Sequence, residues 1–554
     1  MTADAVAARG ATGPDRPSVP TRPGLVLGSL ILAALVCNIN LAAANIALPQ
    51  IGDAFGAGQT SLNLVALGCS LGLAMSVLYL GAVADRYGRK QLLMIGLALT
   101  VLASVLAALA PSIEWLIAAR VFTGVAAGMA YPTTLSLITA LWGRGPGRTR
   151  AIALWSSVSA MSSVVGSVLA GLLLEVFWWG AAFLIAAPIA AVALVMVRLS
   201  VPAHVAESDD PVDHLGGVLS VGTIAAFVLG VSLVVAPGET LVGAVSLAVA
   251  VVLAALFVWR QRSTASPLYD LQIASRRLFW APAIAGMIVF GSLMGAMFVG
   301  QQFLQNILGY DTLDAGLAVV PAAVGLLLVA PLSARLVTAR GTRTTMLTGY
   351  ALVLLGFVTT LFWREHTPYW LIGGGFFVIG AGAAFAMTPA SRALTDSTPV
   401  RRIGMASATS DLQRDLGGSV MQALLGAILA AGFASAFGRA IEATGKASEI
   451  SAEVVTALQA SYASALHVAD TYPQYRDAIL QGATESLVHG ALWAYLVGAV
   501  AILLGAVLVT FRVPSAAREA ELAAGYHAAD AADAADAADA GIGVKPHRNA
   551  EPAT

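Results

Sequence analysis

Gly81-Ala-Val-Ala-Asp85-Arg86-Tyr-Gly88-Arg89-Lys90 closes an apolar run that begins near residue 61. The run has about the 20 residues that a helix needs to cross a bilayer core. Three cations then follow within five positions, 86 to 90. A basic loop with a Gly turn accounts for Arg86, Arg89 and Lys90. It does not account for Asp85, a carboxylate set against the end of an apolar helix. Such a group needs a nearby cation or the N-terminus of a neighbouring helix.

The same grammar, an apolar run and then a short polar loop, repeats along the chain. Fourteen runs are expected to span, near 24–47, 61–83, 91–110, 114–138, 151–174, 179–199, 215–236, 240–259, 279–303, 314–337, 344–363, 369–391, 406–436 and 487–511. Composition agrees, with 58% hydrophobic and 11% charged residues, where a soluble domain carries roughly 25% charged. The runs are continuous rather than alternating, which excludes a barrel and predicts an all-α polytopic fold. Many of the 55 glycines lie inside the runs, where small residues let helices pack closely in lipid. Cys37 and Cys69 both fall in apolar runs. They read as small fillers, with no metal-ligand spacing around them. The run from Leu25 is too long for a cleaved leader and reads as a retained first helix.

Lys and Arg set the expected orientation. With the N-terminus in the cytoplasm, the short inner loops hold seventeen basic residues: Arg86, Arg89, Lys90, Arg144, Arg148, Arg150, Arg198, Arg260, Arg262, Arg276, Arg277, Arg335, Arg340, Arg343, Arg392, Arg401 and Arg402. The short outer loops hold Arg364 alone. Both termini are then cytoplasmic, and the expected location is a bacterial inner membrane. Residues 1–22 read as a disordered tail and 513–554, with an Ala-Ala-Asp repeat, as a low-complexity tail. The latter is a frayed helix or a solvated linker with no assigned role. The long outer segment 438–486 carries Val454, Val455, Leu458, Tyr462 and Leu466 near helical spacing, then Pro473. Two short amphipathic helices resting on the outer face are expected there, as a cap or as a gate.

The closing motif of span 2 resembles the signature of the major facilitator superfamily, G-x-L-a-D-r-x-G-r-k-x-x-l, with Val83 in place of Leu and Leu93 at its end. Further stretches agree. Leu116-Ile-Ala-Ala-Arg120-Val-Phe-Thr-Gly124 is similar to the span 4 motif. Gln302 to Tyr310 with Ala315, Gly316 and Pro321, and Gly404-Met-Ala-Ser407 to Arg414-Asp-Leu-Gly417-Gly418, resemble the fourteen-span drug/proton antiporter branch. A weaker echo of the signature stands at Ala334-Arg-Leu-Val-Thr338-Ala-Arg340-Gly341-Thr-Arg343, where Thr338 replaces the carboxylate. The resemblance covers residues 24–512. It implies a six-helix bundle over 24–199, two inserted spans over 215–260 and a second six-helix bundle over 279–511, with alternating access between the bundles. It also implies a conformational latch at Gly81, Asp85, Arg86, Gly88, Arg89 and Lys90.

Two positions depart from that branch. Asn40 stands where span 1 usually carries the proton-coupling acid. Gly166-Ser167-Val-Leu-Ala170-Gly171 lacks the Pro of the antiporter motif, leaving Gly166, Ser167 and Gly171 as its equivalents. Asn40 lies about 24 Å into span 1 and Arg120 about 9 Å into the oppositely directed span 4. The depths nearly coincide, so Asn40 is expected to be within hydrogen-bonding reach of Arg120. Arg120 is then a coupling or binding group, or glue between helices. Span 13 holds Asp411, Arg414 and Asp415. Asp411 and Arg414 are spaced to pair on one face, leaving Asp415 without a second cation. Asp415, with Asp411, is the candidate replacement for the missing acid, unless span 13 starts late and these charges sit among headgroups. Asn38, Asn45, Asn63, Gln301, Gln302, Gln305 and His489 are lesser candidates for a polar cavity, and Trp155 and Phe290 for stacking a planar or cationic substrate.

The expected function is secondary active efflux of small amphipathic compounds, drug or natural product, coupled to protons. The alternative is a narrow transporter of a physiological solute with altered or absent coupling. A sensor would need a folded signalling domain, and an enzyme would need clustered His, Asp or Cys, whereas 7 His and 2 Cys are scattered. No G-x-x-x-x-G-K-[ST] loop occurs, so ATP is not the expected driver. No cofactor, metal or nucleic acid is expected. A monomer in contact with lipid, a small-molecule substrate and protons are.

Overall fold

Residues 22–142, 146–203, 211–234, 236, 238–264, 266–399, 403–444 and 450–539 are described by the computed structural model. Arg144, Arg401, Arg402, residues 1–21 of the N-terminal tail and residues after 539 fall outside the described residues, as do the side chains of Arg148 and Ser407.

The helices are α1 Pro23–Phe55, α2 Gln59–Tyr87, α3 Arg89–Ala108, α4 Ile113–Leu141, α5 Pro146–Leu174, α6 Ala181–Leu184 and α7 Ala186–Ser200. Next come α8 His214–Val234, α9 Thr240–Ser263, α10 Leu271–Ala274, α11 Arg277–Asn306, α12 Thr312–Ala318, α13 Val320–Thr360 and α14 Tyr369–Asp396. Then follow α15 Ile403–Ala443, α16 Ala452–Ala460, α17 Tyr462–Thr471, α18 Arg476–Arg512 and α19 Ala516–Asp539. No strand occurs among the described residues.

Local chemistry sets the ends. Pro23 opens α1, where a missing N–H costs nothing. Gly56, at φ 57°, closes it in the left-handed region. Ser112 and Asp311 cap α4 and α12 by accepting from the N–H of Trp115 at 3.3 Å and Asp314 at 2.7 Å. The described residues hold twelve helical segments long and apolar enough to cross a membrane, where fourteen were expected. The differences lie in two places. Thr312–Thr360 counts as one 49-residue segment, although Gly341, at φ 82° and ψ 171°, breaks the helix inside it. The other is α5, a 29-residue helix whose first two thirds hold many side chains outside the described residues, so that only Val165–Leu174 enters the count.

Helices α1 to α7 pack on one another, as do α11 to α18. Close approach is extreme between α2 and α4. A Cβ on Gly72 would sit 2.1 Å from the Val121 carbonyl oxygen, and one on Gly124 2.1 Å from that of Cys69. Replacing either with Ala is therefore expected to force the pair apart and cost roughly 1–3 kcal/mol, seen as a lower midpoint of thermal unfolding in detergent.

The pair α8–α9 sits outside both groups. Ile224 and Val228 of α8 pack against Leu71 and Ala74 of α2 and Ala423 of α15. Its foot is pinned by Asp213, which accepts from Arg260 at 3.0 Å, Gln261 at 3.1 Å and the Gly216 N–H at 3.1 Å. On α9, Leu241, Val251 and Trp259 are 76%, 70% and 65% exposed, an apolar face that suits lipid.

The 438–486 segment forms the two expected short helices, α16 and α17. They rest on the end of the bundle that holds Gly58. Ser461 donates to the Ala57 carbonyl at 2.9 Å, and Ala463 fills the space beside Gly52.

The tail, given no role from sequence, is a helix docked at the opposite end, which holds Gly88. Glu519 accepts from the Thr342 N–H at 3.1 Å and from its hydroxyl at 2.6 Å. It thereby caps the helix that restarts after Gly341. Asp530 accepts from Arg276 at 3.0 Å, and the Tyr526 ring lies 4.9 Å from the same guanidinium. The bond to Asp530 raises the Arg276 pKa above its ordinary value, so the clasp stays charged at physiological pH. Arg276 also donates to the Ser397 carbonyl at 2.8 Å. Glu519→Ala should cost about 1 kcal/mol, the usual worth of a helix cap, read as a small drop in unfolding temperature with α19 more open to protease.

Candidate functional site

The signature loop is built on Gly88, whose φ of 114° lets α2 end and α3 begin without a linker. That turn brings Arg89 back to Asp85, with Nε donating to Oδ1 at 2.8 Å. The partner that Asp85 required is therefore the cation four residues on. Lys90 donates to the carbonyls of Arg198 at 3.0 Å and Val201 at 2.6 Å, tying the loop to the end of α7. Arg86 occupies the last turn of α2 and is also partnered. Gly81 is different, because a Cβ there meets nothing within 4 Å. Asp85 keeps 44% of its side-chain surface, so the pair adds at most about 1 kcal/mol to stability. Asp85→Asn is expected to leave membrane abundance unchanged while lowering transport, measured as export per unit of protein.

Arg120 lies fully buried between α1, α2 and α4. It donates to the Asn40 carbonyl at 2.9 Å and to the Val65 carbonyl at 3.4 Å, and stacks 4.9 Å from the Phe183 ring. The expected contact between Asn40 and Arg120 is therefore present, with the backbone carbonyl of Asn40 as the acceptor. Its amide turns back to the Val36 carbonyl at 3.3 Å, as polar residues inside helices do. Asn40 Oδ1 and Arg120 Nη1 remain buried without a partner.

The charged set of span 13 lies within α15, inside the spanning stretch Thr409–Ala443. Asp415 stands about 18 Å along the helix from Ile403. Arg414 donates to Asp411, and its guanidinium lies 6.0 Å from the Tyr131 ring of α4. Trp155 of α5 packs 5.6 Å from Tyr131 and donates to Thr134 at 3.0 Å. Asp415 Oδ2 is buried and has no partner. Leu412 and Leu416, on either side of Asp415 along α15, pack with Leu67 and Leu71 of α2. Residues of α2 and α15 therefore meet beside this acid.

Gly166, Ser167 and Gly171 mark where α5 touches its neighbours. A Cβ on Gly166 would lie 2.9 Å from Ile39 Cα, and one on Gly171 2.8 Å from Leu313 Cα and 2.8 Å from the Thr312 carbonyl oxygen. Thr312 donates to the Gly171 carbonyl at 3.2 Å, and Gly316 abuts the carbonyl of Ser167. Lacking the Pro, α5 runs as a single helix.

The same end is closed by amides. Gln59 donates to Gln302 at 2.9 Å and to Asn63 at 3.1 Å, while Gln301 donates to the Ala315 carbonyl at 3.0 Å. Gln59, Thr312 and Leu313 were not singled out from sequence. The one available signal was Gln59, an amide opening an apolar run. The lesser candidates divide. Asn38 bonds the Ala34 carbonyl at 3.0 Å within its own helix, Gln305 only reaches Gln301 at 3.5 Å, and Asn45 Oδ1 is buried unpartnered. His489, on α18, faces Arg439 near the opposite end of α15 from Asp415, at 3.5 Å, and Phe290 packs at Gly418. No cluster of His, Cys, Asp and Glu suited to a metal occurs among the described residues.

Known proteins share this architecture. The chain is 33% identical over 422 residues to the multidrug efflux pump LfrA of Mycolicibacterium smegmatis, covering 76% of this chain and 84% of that protein. It is 28% identical over 483 residues to the methyl viologen resistance protein SmvA of Salmonella typhimurium, covering 86% and 94%. Its fold superposes on an inward-facing, occupied bacterial homologue of the human lysosomal transporter Spinster, with TM-score 0.58 and 14% identity over 91% of this chain and 99% of that one. Residues 30–422 match the Major Facilitator Superfamily. The chain belongs to that superfamily and is a multi-pass membrane transporter of small molecules, not an enzyme.

Proposed function

We propose that the protein exports small amphipathic compounds, drugs and biocides among them, in exchange for protons. One observation carries the coupling: Asp415, whose Oδ2 is buried without a hydrogen bond, stands on the stretch of α15 that packs against α2, while Asn40 occupies the usual acid position of α1. An intramembrane carboxylate costs roughly 2.5–3.5 kcal/mol to place, so its retention points to use. Asp415 takes up a proton from one side and gives it up on the other. The Asp411–Arg414 pair holds its helix turn in place, and Tyr131 and Trp155 offer rings to a planar or cationic body. Arg120 ties α1, α2 and α4 at the same depth. Residues 24–199 and 279–511 rock as two bundles about this region. Gly81, Asp85, Arg86, Gly88, Arg89 and Lys90 latch the cytoplasmic end, which is the Gly88 end. Residues 215–260 form the inserted pair. The protein works as a monomer in a bacterial cell membrane with both termini inside.

The test is a susceptibility profile in a bacterial host stripped of its own exporters. Native protein and Asp85→Asn, at equal membrane level, are challenged with dyes, antibiotics and quaternary biocides. Resistance present with the native protein and lost in the variant is expected. No protection against any compound would sink broad export. It would favour the second reading, a narrow solute transporter, to which Asn40 and Ser167 give specific support.

A further inference from the structure

Arg277 opens α11 and reaches across to the end of α18 at the Gly88 end of the bundle. Its Nε donates to the Arg512 carbonyl at 2.6 Å and its Nη2 to the Phe511 carbonyl at 2.8 Å. The Arg512 guanidinium lies 5.8 Å from the ring of Trp280, one turn along α11 from Arg277. Both arginines are exposed. Nearby Arg276 and Arg518 pair with Asp530 and Glu521, but no ion pair engages Arg277 or Arg512 among the described residues. The carbonyls at the end of α18 offer only about half a negative charge, so the corner between α11 and α18 stays strongly positive. It also sits at the membrane surface. The exposed stripe Leu504, Val507 and Phe511 of α18 ends there, with Phe511 71% exposed, and an indole such as Trp280 suits headgroup level. Arg277, Trp280, Ile284 and Met287 follow at three- and four-residue spacing and share one stripe of α11. From Trp280 inward that stripe walls an apolar cavity of about 220 Å³, with Leu412 of α15 on its facing side. Ile284, 42% exposed, marks where the cavity meets the lipid-facing surface. Thr409 donates to the Tyr269 hydroxyl at 3.3 Å and closes the cavity toward the Gly88 end. The cation pair and the apolar slot therefore share Trp280, and the slot is entered from the side.

We propose that this corner binds one anionic phospholipid from the leaflet at the Gly88 end, its phosphodiester on Arg277 and Arg512 and part of one acyl chain in the slot beside Trp280. Guanidinium donors match phosphate oxygens in geometry and charge. Basic pockets between membrane helices take such headgroups for that reason. A glycerol headgroup leaves the phosphate charge whole. A choline headgroup brings its own cation against Arg512 and loses most of the attraction. The slot is below the roughly 300–1,000 Å³ of a full ligand pocket, so it holds a chain segment while the rest of the lipid stays in the bilayer. The residues that take part belong to α11, α15 and α18, so the lipid braces the second helix group. This binding does not rest on the transport reading.

The test uses full-length protein in nanodiscs of phosphatidylcholine. Phosphatidylglycerol or phosphatidylcholine carrying bromine in the first half of one acyl chain is added in steps. Bromine quenches nearby indoles, and the Trp280 share is the part lost in Trp280→Phe. Brominated phosphatidylglycerol is expected to quench that share at about a tenth of the mole fraction that brominated phosphatidylcholine needs. Arg277→Gln with Arg512→Gln should erase the preference while phosphatidylcholine quenching persists, which also reports that the slot is folded. Arg512→Gln alone leaves the bonds from Arg277 to α18 in place, so it tests the site without disturbing the helix end. It should reduce the preference roughly threefold. Inorganic phosphate exchanged for chloride at constant ionic strength should change nothing. Equal quenching by the two lipids in the native protein, or a full preference in Arg512→Gln, overturns the site. A preference abolished by inorganic phosphate would assign the two cations to a free anion and overturn the lipid as occupant.

Discussion

Asp415→Asn is expected to cut proton-driven accumulation of a fluorescent cation such as ethidium in everted membrane vesicles by roughly 5–150-fold, the usual span of a coupling free energy between two ligands. The amide keeps the size and most of the hydrogen bonding of the acid but cannot carry a proton. Since Oδ2 has no partner to lose, the fold should tolerate the change. Dye binding without a gradient should persist, and the response to an imposed pH difference should vanish. Asp411→Asn supplies the contrast. It strips the partner from Arg414, whose side chain keeps only 29% of its surface. Breaking a pair of this kind costs about 3 kcal/mol, so that variant should first lose abundance and thermal stability. Gradient-dependent uptake by Asp415→Asn equal to that of the native protein would remove Asp415 from the mechanism.

Gly171→Val is expected to abolish turnover by a different route. The added atoms would land on Leu313 Cα and the Thr312 carbonyl, backbone that cannot swing aside as a side chain can. Overpacking of this kind costs roughly 1–3 kcal/mol. Here it falls on the closed arrangement of the Gly58 end alone, lowering its population about tenfold to a hundredfold. Gln59 and Gln302, which bond at 2.9 Å when that end is closed, give the readout. With both replaced by Cys, oxidative cross-linking should be fast in the native background and slow in Gly171→Val. Unaltered cross-linking together with lost transport would show that Gly171 acts elsewhere. Gly374→Ala is the matched control, since nothing lies within 4 Å of its added methyl.

The spans were legible because lipid leaves a chain few options, and about twenty apolar residues in a row can only be a helix there. Asp85 was legible as a group needing a partner, and Arg89 is its neighbour in sequence. Other features depended on distance in sequence. The Gln59–Gln302 bond joins residues 243 apart, and no local pattern distinguishes an amide that clasps another helix from one that bonds its own. Asn40 shows that ambiguity directly: its depth beside Arg120 was readable, but the choice between side chain and carbonyl rested on a rotamer. The helix of the tail was one of its two readings, but its docking was hidden by composition. Ala-Ala-Asp repeats resemble linker, yet Glu519, Tyr526 and Asp530 lie on the helix so as to meet Thr342 and Arg276.

Gly88 and Gly341 are alike as joints, each a glycine at positive φ with a helix restarting behind it. The first joint carries its own acid, Asp85. The second has Thr338 in that place, and the acid that meets the restarted helix, Glu519, comes from 177 residues downstream. One hinge is thus self-contained and the other is on loan. A soluble protein that gripped α19, or a protease that clipped the connection at Val513–Ser515, would loosen one half of the transporter and leave the other intact. Two like joints therefore draw their acids from very different distances along the chain.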